Sequence, residues 1–69
     1  LRLRLLAQAM DKLNDRERII VRARRLQDDP TTLDSLGEQL GISRERVRQI
    51  ETRAIEKMTR FIQDNAKNA

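Results

Sequence analysis

The sequence lacks cysteine and histidine, and it has no tryptophan or tyrosine and only one phenylalanine among its 69 residues. Without cysteine the chain can form no disulfide and offers no thiol nucleophile, and the usual zinc sites are excluded as well. There is also no glycine-rich phosphate loop, and the carboxylates show no paired arrangement. We therefore predict no catalytic residue, no metal site and no cofactor, and an enzyme is disfavoured.

Aromatic residues, glycine, proline and long apolar runs are also scarce. Two glycines, one proline and one aromatic residue leave little material for a sheet and favour helices. No apolar run approaches the roughly 18 residues that would span a bilayer, and no signal peptide is visible. The absence of cysteine fits a cytosolic domain. The length allows one small domain with a thin core.

Charge is abundant and unevenly distributed. Residues 1–26 carry eight basic and three acidic side chains, residues 27–42 carry four acidic and no basic ones, and residues 43–69 carry seven basic and four acidic ones. Twelve of the 15 basic residues are arginine, whose planar fork suits phosphate and guanine. Two basic flanks around an acidic middle suit a polyanion. A basic helix could also bind an acidic membrane, but the scarcity of aromatic residues argues against it.

The apolar spacing predicts an all-α fold of four helices without a sheet, in a single domain over residues 1–69. The first two helices are expected at about 2–12 and 15–27, and a third begins at Thr31 or Thr32, after the break at Pro30. The fourth is expected at about 44–62, with a frayed tail at 63–69. On the second helix we expect a buried stripe formed by Ile19, Ile20, Ala23 and Leu26.

The connection between the third and fourth helices has the chemistry of a helix-turn-helix. Gly41 can take a positive φ and end the third helix, and Ser43 is a favoured N-cap for the next. Gly37 lies where a side chain would obstruct a close approach. An ordinary helical hairpin would not need this set of small residues. The second helix of such a motif enters the DNA major groove.

A helical wheel of the fourth helix separates a core face from a free face. The core face contains Val47, Ile50, Ala54, Met58 and Phe61. The opposite face contains Glu45, Gln49, Thr52 and Glu56. Arginine can donate two bonds to guanine, glutamine can pair with adenine, and glutamate can accept from cytosine. Glu45 could instead simply complement the helix dipole.

Two stretches resemble region 4 of bacterial RNA polymerase sigma factors of the housekeeping and heat-shock family. Residues 32–51, with Arg-Glu-Arg-Val-Arg-Gln-Ile-Glu at 44–51, resemble region 4.2, and residues 13–18 resemble the start of region 4.1. The resemblance covers about 10–62. It implies a helix-turn-helix domain of the winged-helix-like, sigma region 4 type. Region 4.1 helices would then occupy about 2–27, and the region 4.2 helix-turn-helix about 32–62.

The resemblance implies that the chain recognises the promoter −35 element while the rest of the sigma factor is held on RNA polymerase. The matching base-reading positions are Arg44, Glu45, Arg48 and Gln49. The matching phosphate-binding positions are Arg16, Arg24, Leu33 and Arg46, of which Leu33 would use its backbone N–H. Arg53 matches a basic position that activators contact, and Arg48 lies near activators as well.

Two residues depart from the housekeeping pattern. Glu38 replaces a lysine that lies near phosphate, and Glu56 replaces a basic residue at an activator contact. The segment 25–30 also stands where housekeeping members place Phe-Gly. This short acidic loop favours a heat-shock type over housekeeping and other alternative types.

The resemblance also implies partners: double-stranded −35 DNA, the RNA polymerase core through its β flap, and activators or an anti-sigma protein, in the bacterial cytoplasm at the nucleoid. Candidates for a flap groove are Leu3, Leu6, Ile20, Met58, Phe61 and Ile62, which could equally fill the domain's own core. Two other functions stay open. One is the DNA-binding domain of a transcriptional activator of the response-regulator type. The other is a docking module for an anti-sigma or activator protein.

Overall fold

The computed structural model describes residues 2–66, with the side chains of residues 4–66, and in this range it contains four helices and no strand. These are α1 (Arg2–Met10), α2 (Asp15–Arg25), α3 (Leu33–Leu40) and α4 (Arg44–Ala66). The predicted all-α class is confirmed. Within the same residues, no helix combines the length and the apolar character that crossing a membrane requires.

The first two helices are shorter than predicted because side chains and turns satisfy their last carbonyls. The guanidinium of Arg18 donates from Nε to the carbonyl of Met10 at 3.3 Å and from Nη2 to that of Leu13 at 2.9 Å. These bonds close the end of α1 across the turn to α2. The chain then leaves α2 after Arg25, and the N–H of Thr31 returns to the carbonyl of Ala23 at 2.9 Å.

The last helix is longer than predicted. Residues 63–66 of the expected frayed tail are helical, while residues 67–69 lie outside the described part of the chain. Phe61 and Ile62 pack against the core, and the side-chain amide of Asn65 donates to the carbonyl of Phe61 at 2.8 Å. The contacts of these two apolar residues hold the final turns in place.

Capping residues define where α2 and α3 begin. Asn14 and Glu17 form a capping box, in which each side chain accepts from the backbone N–H of the other at 2.8 and 2.9 Å. Thr32 caps α3 by accepting from the N–H of Ser35 at 3.1 Å. Of the two threonines at which the third helix was predicted to begin, Thr32 is the cap.

The core consists of two apolar clusters arranged along α4, against which the other three helices pack. One cluster joins α1, α2 and the second half of α4 through Ala9, Met10, Leu13, Val21, Ala54 and Met58. The other joins α2, α3 and the first half of α4 through Ile20, Leu36, Val47 and Ile50. The predicted core face of α4 is therefore confirmed, with Phe61 at its half-buried end.

The predicted buried stripe of α2 is wrong at two positions. Ile19 and Leu26 are 49% and 46% exposed, whereas Val21, which the stripe omitted, is 1% exposed. Three consecutive β-branched residues made the face ambiguous from spacing alone. The face that packs on α4 carries Glu17 and Arg24 together with Ile20 and Val21, because α4 supplies partners for both charges.

Candidate nucleic-acid interface

The turn between α3 and α4 sets the direction in which α4 leaves the core. Gly41 has φ +69°, its N–H bonds to the carbonyl of Glu38, and the N–H of Ile42 bonds to that of Gly37 at 2.9 Å. This is the pair of bonds of a Schellman ending. Ser43 then accepts from the N–H of Arg46 at 3.0 Å and caps α4. The predicted roles of both residues are confirmed.

Gly37 is required by a close approach of backbone to backbone. A Cβ built on it would lie 2.7 Å from the carbonyl oxygen of Ile42. The predicted obstruction is therefore real, and it lies in the turn itself. Any side chain at position 37 would push the start of α4 away from α3.

The free face of the first two turns of α4 is exposed and polar. Arg44, Glu45, Arg48 and Gln49 are all exposed, as the prediction of base-reading residues requires. Glu45 and Arg48 form a two-point ion pair, in which Nε of Arg48 donates to Oε2 of Glu45 at 3.1 Å and Nη2 donates to Oε1. Gln49 accepts from Nη1 of Arg46 at 3.4 Å, and Nε of Arg44 lies 4.0 Å from Oδ1 of Asp34.

The ion pair between Glu45 and Arg48 favours the charged form of both side chains. The hydrogen bond from Arg48 lowers the pKa of Glu45, desolvation opposes it, and the charges of Arg48 and Arg44 lower it further. The same pair raises the pKa of Arg48. At neutral pH Glu45 is therefore a pure acceptor and Arg48 a pure donor. An acceptor of this kind is what the amino group of cytosine requires.

One flank of α4 borders a basic cleft at the N-terminus of α3. A cavity of about 380 Å³ is lined by Arg24, Thr32, Leu33, Asp34 and Arg44. The first backbone N–H groups of a helix have no intrahelical partner and attract anions. Two of the predicted phosphate contacts, Arg24 and Leu33, thus meet one predicted base reader, Arg44, in a single cleft.

The other flank borders a second basic cleft between α4 and the start of α2. A cavity of about 650 Å³ is lined by Asn14, Asp15, Arg16, Glu17, Arg46, Ile50, Arg53 and Lys57. It brings together two predicted phosphate contacts, Arg16 and Arg46, with the predicted activator contact Arg53. Lys57 is paired with Glu17 at 2.9 Å. The free face of α4 is therefore flanked by two clefts that each carry arginines, side chains that can bind phosphate beside a groove.

Two buried carboxylates support these clefts, and sequence reasoning did not identify either of them. Glu17 and Glu51 are each only 6% exposed. Glu51 accepts from Arg24 and Arg25, and Glu17 accepts from Lys57 and the N–H of Asn14. The available signal was that both acids fall on the core-facing sides of their helices, where a carboxylate needs a partner.

The predicted apolar groove residues are only partly accessible. Ile20 and Met58 are buried in the core, so they are unavailable to a partner. Leu6, Phe61 and Ile62 are half-buried, and the side chain of Leu3 lies outside the described residues. A shallow groove of about 300 Å³ between α1 and α2 is lined by Leu6, Ala7, Met10, Asp11, Arg18, Arg22 and Leu26. The exposed Leu26 is an apolar side chain that the prediction omitted.

The remaining predicted residues are exposed. Glu38, Arg53 and Glu56 all lie on the surface, Glu38 on α3 and the other two on α4. Among the described residues, no group of three or more histidine, cysteine or carboxylate side chains is arranged to hold a metal ion.

The four helices of residues 2–66, the Schellman turn and the capped, polar start of α4 define a helix-turn-helix domain of the DNA-binding class. Residues 9–60 match the family model described as Sigma-70, region 4, and the chain belongs to this family.

Relatives with this similarity include two proteins named RNA polymerase sigma factor RpoH. The chain is 58% identical to the one from Caulobacter vibrioides (strain NA1000 / CB15N) over 66 residues, which are 96% of this chain and 22% of the relative. It is 57% identical to the one from Rhizobium radiobacter over 68 residues, 99% of this chain and 23% of the relative. The RNA polymerase sigma factor RpoD of Helicobacter pylori (strain ATCC 700392 / 26695) is 48% identical over 52 residues, 71% of this chain and 8% of the relative. The chain thus spans about a fifth of the length of the RpoH relatives, and its similarity to them is consistent with region 4 of a heat-shock sigma factor.

Proposed function

We propose that this chain is the part of an RNA polymerase sigma factor that binds the promoter −35 element and so directs the polymerase to its start sites. The observation that carries the proposal is the exposed, polar start of α4 between two arginine-bearing clefts. The names of the relatives support it, since they are RNA polymerase sigma factors. The RpoH relatives favour heat-shock or other alternative promoters, and a site of action in the cytoplasm with the polymerase.

In this proposal the first two turns of α4 enter the major groove. Arg44 donates to a guanine, Gln49 pairs with an adenine, and Glu45 accepts from a cytosine. Arg48 lies beside the same bases and shares the carboxylate of Glu45. Each good two-point contact contributes roughly 1–3 kcal/mol of discrimination between bases.

The two clefts bind the phosphates on either side of that groove. Arg24 and the N–H of Leu33 bind phosphate from the cleft at the start of α3, and Arg16 and Arg46 bind it from the cleft at the start of α2. Contacts of this kind fix register and supply affinity, and they make binding steeply dependent on salt. We propose that Arg53, which lines the second cleft, contacts an activator bound upstream.

The apolar surface is assigned to the polymerase core. The half-buried Leu6 and the exposed Leu26 border one groove between α1 and α2. We propose that this groove binds the β flap together with Phe61 and Ile62, which pack with Leu6 against the same core cluster. Tethering to the polymerase supplies effective concentration, so the isolated chain needs only weak affinity, roughly 10⁻⁴–10⁻⁶ M.

The test compares a duplex carrying a heat-shock −35 element with a scrambled duplex by fluorescence anisotropy. Arg44→Ala should weaken binding to the −35 duplex by roughly 1–3 kcal/mol more than to the scrambled one. Arg60→Ala removes the same charge from an exposed site far along α4 and should leave the preference unchanged. If Arg44→Ala lost the same affinity for both duplexes, Arg44 would contact only phosphate and would not read a base. Nanomolar binding by the chain alone would contradict the dependence on tethering.

The same titrations test the pure docking alternative, which the exposed Ile19 and Leu26 favour. A DNA reader loses affinity linearly in log salt, with a slope set by its phosphate contacts. Binding to duplexes that is absent or independent of salt would favour the docking module.

A further inference from the structure

Glu51, on α4, joins this helix to the end of α2 beside the cleft at the start of α3. Its carboxylate is buried, with 8% of the side chain exposed. Oε1 accepts from Nε of Arg24 at 3.3 Å, and Oε2 accepts from Nε of Arg25 at 3.0 Å. One acid on α4 therefore holds two consecutive arginines at the end of α2.

The bonds of Arg24 leave one edge of its guanidinium for a ligand. Nε is bound by Glu51, and Nη1 donates to the backbone carbonyl of Thr31 at 3.1 Å. Among the described residues Nη2 has no hydrogen-bond partner, and Arg24 lines the cleft with Leu33 and Arg44. The side chain is still 27% exposed. With Nε and Nη1 held in place, Nη2 of Arg24 is a preorganised donor for a phosphate oxygen at the N-terminus of α3.

We propose that Glu51 is a positioning residue for phosphate binding: it fixes Arg24 so that Nη2 and the first N–H groups of α3 act on the same DNA phosphate. This inference rests on the proposed function, in which the cleft binds the DNA backbone. Glu51 itself never touches DNA. It acts by orienting Arg24. Because Arg24 is already held in one rotamer before DNA binds, binding does not incur the entropy cost of ordering that side chain.

The sign of the effect separates positioning from simple electrostatics. Removing a negative charge from a protein that binds DNA should strengthen binding, because the repulsion of phosphates falls. Releasing Arg24 from a competing acid should act in the same direction. Positioning predicts the opposite: Glu51→Gln keeps the size of the side chain and removes a negative charge, yet it weakens DNA binding.

The experiment measures binding of the chain to one duplex over a series of salt concentrations for the wild type, Glu51→Gln, Arg24→Ala and the double variant. One phosphate contact contributes about 0.9 to the slope of log affinity against log salt. At roughly 0.1 M salt, losing that contact therefore lowers the affinity by about eightfold. We expect Arg24→Ala to lose that full amount and Glu51→Gln to lose about threefold to eightfold with a shallower slope. In the Arg24→Ala background, Glu51→Gln should cause no further loss of binding.

Arg25→Gln is the matched control, since it removes the second partner of Glu51 and leaves the bond between Glu51 and Arg24. It should keep the wild-type slope. Circular dichroism at the assay temperature establishes that each variant is folded, and Glu51→Asp, which keeps the charge, should recover part of the affinity.

Unchanged or tighter binding by folded Glu51→Gln would overturn the inference and leave the proposed function standing. A loss that persists in the Arg24→Ala background would also overturn it, because Glu51 would then act through something other than Arg24. Absence of salt-dependent duplex binding by the wild-type chain would overturn the proposed function, and the inference with it.

Discussion

Replacing Gly37 by alanine should destabilise the domain even though it places a better helix former in α3. The added Cβ would lie 2.7 Å from the carbonyl oxygen of Ile42, a backbone atom that can move only if the turn moves. Overpacking of this kind costs about 1–3 kcal/mol, and the helix propensity of alanine returns at most about 1 kcal/mol. We expect a net loss of about 1–2 kcal/mol.

Gly41 provides the contrast, because its requirement is conformational. No atom lies within 4 Å of a Cβ built there, but its φ is +69°. Gly41→Ala should therefore cost about 1–2 kcal/mol through backbone strain alone. Asparagine tolerates this conformation, so Gly41→Asn should be milder than Gly41→Ala. At position 37 the order should reverse, since asparagine is larger than alanine.

Thermal and urea denaturation followed by circular dichroism measure both effects. For a domain of this size, 1 kcal/mol corresponds to about 4–8 °C in Tm. Gly37→Ala should lower Tm by roughly 5–15 °C without a change in the urea m-value. A Gly37→Ala variant that is more stable than the wild type would refute the close approach at the turn. If the alanine and asparagine variants ranked in the same order of stability at both positions, this would refute a steric requirement at Gly37 and a conformational one at Gly41.

Two further predictions concern α2. Burial raises the pKa of Glu17, but the N–H of Asn14 and the ammonium of Lys57 together lower it more. The pKa of Glu17 therefore lies below its ordinary value of 4.5. A lowered folded pKa stabilises the domain above the unfolded pKa. That contribution should be lost as pH falls from about 4.5 through the folded value, and Tm measured against pH should be flatter in this range for Glu17→Gln. Separately, Val21→Ala should cost about 2 kcal/mol in urea denaturation because it empties part of a buried site, whereas Ile19→Ser should change stability by no more than about 0.5 kcal/mol. A larger stability loss for Ile19→Ser than for Val21→Ala would instead support the buried face of α2 that was predicted from the sequence.

The structure of the turn was predictable because the role of each residue there depends only on its neighbours in the sequence. A glycine ends one helix with a positive φ, and a serine caps the next, whatever surrounds them. The core face of α4 was predictable for a related reason: Val47, Ile50, Ala54 and Met58 repeat over several turns with only one compatible face.

The face of α2 was not predictable from the same rules. Ile19, Ile20 and Val21 are consecutive, so any one of three faces could be apolar. The choice depends on Lys57 and Glu51, which lie 40 and 27 residues away from their partners Glu17 and Arg24. Spacing along one helix contains no information about such pairs, and the two buried acids were missed for the same reason.

Several of the candidate DNA contacts are already engaged within the domain. Arg24 binds Glu51, Arg46 binds Gln49, and Arg48 binds Glu45. Exposed pairs of this kind contribute little to stability and exchange easily for contacts with DNA. The buried pair at Glu51 is different, because it is held by the core and orients its arginine before binding.

The most direct test of the central claim combines Glu45→Gln with single base-pair substitutions across the −35 duplex. If the start of α4 reads bases, wild-type binding should fall by roughly 1–3 kcal/mol when the base pair that Glu45 reads is replaced. For Glu45→Gln that preference should disappear at this one base pair and persist at the others. A preference lost evenly across all positions, or unchanged at every position, would contradict base reading by Glu45 and with it the account of α4 as the reading helix.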